Sequence, residues 1–202
     1  MGKIATFSTI VAIGLLLSAC SSNTAPTTHE YLLPNQLTVS AYQVQPERAG
    51  YSIQLKAIKV ADYLSRLNIV MVSDSGQVYP AANHLWAAPL TSQLENLTIN
   101  RLTERLPTIS WLPSYQPFSA QASLEIDVAD MYANLKGDVV ISGRWFLVAN
   151  TDDHLIDSGT FKRHAQLQQD GYPALTDQLS KTWLNQVIDP IARKLTSLKS
   201  VK

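Results

Sequence analysis

The sequence predicts an α+β domain, a mixed and mostly antiparallel sheet with two amphipathic helices packed on one face. Residues 122–166 alternate apolar and polar side chains in three successive segments, the period of half-buried strands. Residues 90–106, and a second run from about Tyr172, space their leucines by three or four, which gathers them on one helical stripe. Neither kind of element can bury its apolar side alone, so helices laid on a sheet satisfy both.

In chain order, Tyr31-Leu32-Leu33 reads as a short first strand, followed by a loop through Pro46 to Gly50. Residues 51–60 put Ile53, Leu55 and, less cleanly, Ile58 on one side of a half-buried strand. Ile69-Val70-Met71-Val72 is a second strand, and Asp74-Ser75-Gly76 turns it into Gln77-Val78-Tyr79, making a hairpin. From Leu90 the period changes: Leu94, Leu97, Arg101, Leu102 and Leu106 follow helical spacing until Pro107 stops the run. Residues 108–121 begin as a short strand and continue as an irregular loop carrying Pro113 and Pro117.

Three strands of a meander come next, marked by Leu124, Ile126 and Val128, by Val139, Ile141, Trp145 and Leu147, and by residues 155–166. The closing helix carries Leu175, Leu179, Trp183, Val187, Ile191, Leu195 and Leu198, and Pro190 should kink or split it. About seven strands result, and parallel pairing of the first ones would shade the class towards α/β.

Ahead of the domain, Leu17-Ser18-Ala19-Cys20 is a bacterial lipobox. Lys3 and the terminal amine supply a positive start, and residues 4–17 form an apolar run shorter than the ~20 residues of a spanning helix, so the segment is a signal and not an anchor. In such a signal the Cys20 thiol receives a diacylglyceryl group, the chain is cut before it, and the new amino terminus is acylated. The expected organisation is a lipoprotein signal peptide over 1–19, a flexible lipidated tether over 20–30 and one periplasmic domain over 31–202. Residues 21–28, Ser-Ser-Asn-Thr-Ala-Pro-Thr-Thr, are small and polar, as a tether requires.

Sixteen basic and sixteen acidic residues balance, so no overall field recruits nucleic acid. Cys20 is the only cysteine and is consumed by lipid, so neither a disulfide nor a cysteine zinc site is expected and the core must hold the fold. His84, Asp152, Asp153, His154 and His164 invite a metal or acid–base reading, but no HExxH or HxH spacing occurs, and Asp152-Asp153 suits a hairpin turn. No GxSxG elbow or phosphate-cradling glycine run is present. The expectation is a chain with no catalytic residue, no cofactor and no metal.

Several strings resemble the auxiliary lipoprotein components of ABC-type transport systems: Tyr31-Leu32-Leu33, Val60-Ala61-Asp62-Tyr63-Leu64, Asn83-His84-Leu85-Trp86-Ala87-Ala88-Pro89-Leu90, residues 137–145 (Gly-Asp-Val-Val-Ile-Ser-Gly-Arg-Trp) and Gln169-Asp170-Gly171-Tyr172. The Trp-Ala-x-Pro-Leu string at Trp86, Pro89 and Leu90 is the most specific. The resemblance implies an outer-membrane lipoprotein on the periplasmic face, working with a tunnel-forming MCE-domain partner of the PqiB kind and an inner-membrane protein of the PqiA kind. It also implies a homo-oligomeric ring and a part in moving phospholipid between membranes and protecting envelope integrity. Ser21, where an Asp would favour inner-membrane retention, is similar to the exported class.

Moving a two-chain lipid through water exposes some thirty CH₂ groups at ~0.8 kcal/mol each, on the order of 20 kcal/mol, so the chains need a continuous apolar conduit. A chain whose apolar residues are committed to amphipathic stripes must cap a partner's tunnel, assemble a ring, or act as a structural envelope lipoprotein that never touches lipid. Trp86 and Pro89 are expected to pack the start of the first helix or to touch a partner. Trp111, Tyr115 and Phe118, three aromatics between prolines, are expected either to pack beside the core or to form a partner, self-assembly or lipid surface.

Overall fold

The computed structural model describes residues 26–35, 50–116 and 119–199. Its strands are β1 (His29–Tyr31), β2 (Tyr51–Leu55), β3 (Lys59–Val60), β4 (Asn68–Val72), β5 (Val78–Trp86), β6 (Ile109–Leu112), β7 (Ala122–Ala133), β8 (Asp138–Ala149) and β9 (Leu155–Gln166). Helix α1 (Leu90–Arg105) lies between β5 and β6; α2 (Tyr172–Thr182), a π-helical segment (Trp183–Ile188) and α3 (Asp189–Lys199) follow β9. The class is α+β, as the patterning predicts.

Strand β7 is the spine. Along one edge β8 pairs with it antiparallel over its whole length, and β9 pairs with β8 in the same way. Along the other edge β2, β3 and β4 lie end to end, each parallel to β7, with Ile53 opposite Ala122, Lys59 opposite Asp127 and Met71 opposite Ala133. The expected single strand over residues 51–60 is therefore two short strands, and residues 51–72 together run once along β7. A 3₁₀ turn at Asp62–Leu64 bridges the gap before β4, burying Leu64.

The hairpin forms as predicted, antiparallel between β4 and β5, with Gly76 at φ +83° in its turn. Strand β5 runs on to Trp86, further than the alternation suggested, because β1 pairs with its last residues in parallel. Strand β6 pairs in parallel with β2. The first strands thus do pair in parallel, while the long antiparallel ladders of β7–β9 keep the sheet mostly antiparallel.

Alternation in the meander works as expected: Leu124, Ile126, Ile141, Trp145 and Phe161 are buried on the side the helices cover. The helical stripes meet them there, Leu94 and Leu102 from α1 and Leu179, Trp183 and Ile188 from the C-terminal run. Each such side chain contributes about 2 kcal/mol by leaving water. The Trp183 indole stands edge-on to Phe161 at 6.1 Å and donates to Thr98 Oγ1 at 3.1 Å, so its polar atom is satisfied inside the core.

A bulge in β7 between Val128 and Asp130 brings Gly143 so close to the Asp127 carbonyl that a Cβ would sit 2.2 Å from the oxygen. Only glycine fits there.

Pro190 does perturb the last helix, through the π-helical segment that precedes it. Having no N–H, Pro190 cannot donate to the Gln186 carbonyl four residues back; Arg163 Nε of β9 donates to that carbonyl instead, at 2.7 Å.

Candidate functional site

The N-terminal segment enters the domain at a built dock. Strand β1 is three residues long and pairs with the end of β5, His29 opposite His84 and Tyr31 opposite Trp86. Backbone bonds alone would hold so short a parallel strand weakly, and side chains make up the difference. Leu33 is buried and its N–H donates to Gln93 Oε1 of α1 at 2.7 Å, while Gln93 Nε2 donates to the Ala88 carbonyl at 2.7 Å. Ser180 of α2 donates to the Pro34 carbonyl at 2.5 Å, and the Ala87 N–H to the Tyr31 carbonyl at 2.8 Å. The expected strand over Tyr31-Leu32-Leu33 is thus displaced towards the N-terminus: pairing ends at Tyr31, Leu32 is exposed, and Leu33 serves as a plug.

Four rings close the dock. His84 stacks on Tyr172 with centroids 3.8 Å apart and on His29 at 5.3 Å, and the Tyr31 hydroxyl lies 2.9 Å from His84 Nδ1. Gly171, at φ +105°, turns the chain so that Tyr172 opens α2 against this stack. Burial first, and then the neighbouring Tyr31, pushes the Tyr172 phenol above its ordinary range. His84 is therefore a packed ring, remote from the exposed hairpin pair His154 Nδ1 and Asp152 Oδ1 at 2.5 Å, and from exposed His164 on β9. Among the described residues no three His, Cys, Asp or Glu side chains converge as metal ligands.

Trp86 is the buried last residue of β5, Pro89 occupies the position before α1, and Leu90 opens the helix in the core. Trp86 and Leu90 are thus core residues at the entry to α1, while Pro89 is exposed. Trp111 and Tyr115 do not share a surface. Trp111 is buried against the core from β6, its indole N–H without an acceptor among the described residues, whereas Tyr115 is 79% exposed in the loop beyond. Phe118 and Cys20, with the signal segment, lie outside the described residues.

Two features escaped sequence reasoning. Arg101, placed on the buried stripe of α1, holds Asp189 of α3 with two bonds of 2.8 Å, and Arg105 adds two more at 3.0 and 3.1 Å. A buried arginine at a leucine-like position was the only signal. Tyr63, in the 3₁₀ turn, donates to Asp130 Oδ1 of β7 at 3.1 Å, and burial, followed by the Asp130 charge, pushes its phenol well above the ordinary range. That contact clamps residues 51–72 onto β7.

The ABC-type transport auxiliary lipoprotein component family matches residues 31–192. The chain belongs to this family. It is 30% identical over 190 residues to the intermembrane transport lipoprotein PqiC of Escherichia coli K12, covering 94% of this chain and 97% of that protein, and equally similar to PqiC of Shigella flexneri. A solved structure of an uncharacterised protein is 29% identical, with TM-score 0.69, covering 84% of this chain and 99% of the other. A protein from Xanthomonas campestris shares the fold at TM-score 0.68 with 15% identity, covering 85% and 98% of the two chains. In this auxiliary lipoprotein, three of the strings that carry the resemblance, at Tyr31, at Asn83 to Leu90 and at Tyr172, come together around the dock.

Proposed function

We propose that this chain is an outer-membrane lipoprotein of a Pqi-type MCE intermembrane lipid transport system, anchored by acyl chains on Cys20 and facing the periplasm. Residues 1–19 are the signal, 20–30 the tether and the remainder one binding domain without catalytic work. It docks the end of the tunnel formed by a PqiB-like partner, assembles as a homo-oligomeric ring, acts with a PqiA-like inner-membrane protein, and supports envelope integrity. The observation that carries this reading is the likeness to an intermembrane transport lipoprotein over nearly the full length of both chains. The lipobox supports the anchor, and the polar stretch over residues 21–28 gives it reach.

A surface cavity of about 350 Å³ between α1 and α3 is lined by Arg105, Asp189 and Arg193 beside Leu106 and Ala192, a poor lining for acyl chains. That favours a conduit supplied by the partner. It also lends weight to a second reading, a structural envelope lipoprotein that never contacts lipid. Photo-crosslinking from Tyr115 in the assembled complex separates them: capture of the MCE-domain partner together with phospholipid supports lipid docking, and capture of protein alone supports the structural role.

Replacing Cys20 by Ala is expected to leave an uncleaved precursor that no longer fractionates with the outer membrane. Unchanged outer-membrane fractionation of that variant would refute the anchor.

A further inference from the structure

We propose that the end of the sheet bearing the β4–β5 and β7–β8 turns faces the bilayer, with Val78, Tyr79 and Leu135 resting among the headgroups of the leaflet that holds the anchor. The inference rests on the reading of Cys20 as lipidated and adds which end of the domain meets the lipid.

The direction of β1 supplies the first argument. It is parallel to β5, and β5 starts at the β4–β5 turn, so the amino-terminal end of β1 points towards that turn. With His29 opposite His84, the start of β5 at Val78 lies six residues back, about 20 Å at the rise of a strand. Nine peptide steps lead from Cys20 to His29, a reach of about 30 Å at full extension. An anchor leaving in this direction passes the start of β5 with about 10 Å to spare. The opposite end of β7, at Ala122, lies about 30 Å away from the level of His29 and three strand spacings to the side, which uses the whole reach and leaves nothing to enter a leaflet.

The surface at the favoured end supplies the second. The two turns are joined: Lys136 Nζ lies 2.6 Å from Asp74 Oδ2, and Asn134 Nδ2 is 3.4 Å from Asp74 Oδ1. Each turn presents apolar side chains outward, Leu135 at 65% exposure and Val78 and Tyr79 at 37% and 41%. Leu135 is held out by a rigid turn, since Asn134 Oδ1 accepts from the Lys136 and Asp138 N–H groups and Gly137 sits at φ +82°. A leucine fixed at a tip has no inward alternative. With Asp138 beside the Lys136–Asp74 pair, this end sets one cation against two carboxylates, so its contact with the headgroups rests on the apolar side chains, and a tyrosine suits the interface with its ring in the apolar boundary.

The lipidated full chain, reconstituted in vesicles of phosphatidylethanolamine and phosphatidylglycerol with brominated acyl chains, tests this. Leu135→Cys, Val78→Cys and Leu155→Cys each add one reactive thiol for a polarity-sensitive dye, Cys20 being acylated. Leu155 is a matched control, 56% exposed at the opposite end of the sheet. Dyes at 135 and 78 are expected to shift blue and lose the larger part of their emission to the bromines, with the dye at 155 unchanged. Quenching at 155 instead, or equal signals at all three positions, would overturn the orientation. A chain that floats with the vesicles while 135 and 78 stay unquenched sinks the orientation alone. A chain that does not float and carries no acyl mass on its first residue sinks the anchoring reading, and this inference with it.

Discussion

Trp111 and Tyr115 stand four residues apart and do opposite things. The first is packed into the core from β6, and the second projects into solvent from the loop beyond. Replacing Trp111 by Ala empties a packed indole site and is expected to cost about 3–5 kcal/mol, while Tyr115→Ser stays within about 0.5 kcal/mol, both read from urea denaturation. Similar costs for the two would mean that Tyr115 is packed as well. Gly143 makes the steric case, because any Cβ there meets the Asp127 carbonyl. The aromatic richness of residues 111–118 was visible in the sequence, but which ring turns inward was not: pleating puts Trp111 on the face of β6 that α1 covers, and that depends on β2 lying alongside.

At the scale of elements, the meander and α1 were legible because their signals are local: Leu124, Ile126 and Val128 alternate within one strand, and Leu90, Leu94 and Leu97 repeat within one helix. The parallel seating of residues 51–72 on β7 was not, since the partner of Ile53 is Ala122, and nothing near Ile53 encodes that distance. The ring stack of His29, His84 and Tyr172 was hidden for the same reason. Pro190 was recognised as a breaker, yet the remedy, Arg163 on another strand, could not be. Removing Arg163 leaves the Gln186 carbonyl without its donor and is expected to cost about 1–3 kcal/mol. In a Pro190→Ala background the restored N–H can serve that carbonyl, so Arg163→Ala should cost less there, and a double-mutant cycle by denaturation measures the difference. Additive costs would show that Arg163 does not substitute for the missing N–H.

The Asp189 clamp between α1 and α3 carries a pH signature. Burial alone would raise its carboxyl, but hydrogen bonds from Arg101 and then Arg105 more than reverse this and hold it below the ordinary carboxylate range. As pH falls the unfolded chain takes up this proton first, so the stabilisation is complete above the ordinary value of about 4 and is lost as pH drops through it towards the folded value. Asp189→Asn is expected to lower stability at neutral pH and to flatten its decline in acid, seen as urea midpoints from about pH 6 to about pH 3. An unchanged acid limb would assign that decline to other carboxylates.

For the molecule as a whole, pairing is divided between a local half and a remote half. Strands β7, β8 and β9 follow one another through short turns, whereas β2, β3 and β4 must find an edge some sixty residues further on. Closing the longer loops costs more entropy before any contact rewards it, so the meander should form first. Ile141→Val and Ile53→Val, both buried and each costing about 1 kcal/mol, should then act differently. The first should slow folding and the second chiefly hasten unfolding, as chevron plots would show. The reverse assignment would place the nucleus in the N-terminal segment.

The seat of residues 51–72 along β7 also bears on export. Under the signal proposed above, these short strands would cross the membrane before the strand that templates them has emerged. During that interval Ile53, Leu55, Ile69 and Val72 stand unsheltered in water, and once β7 and β8 have zipped together the bare flank of β7 is open to any stray extended peptide. A periplasmic holdase that grips extended apolar stretches would therefore find its first handhold in residues 51–72, and would have to let go only after Ala133 has cleared the translocon.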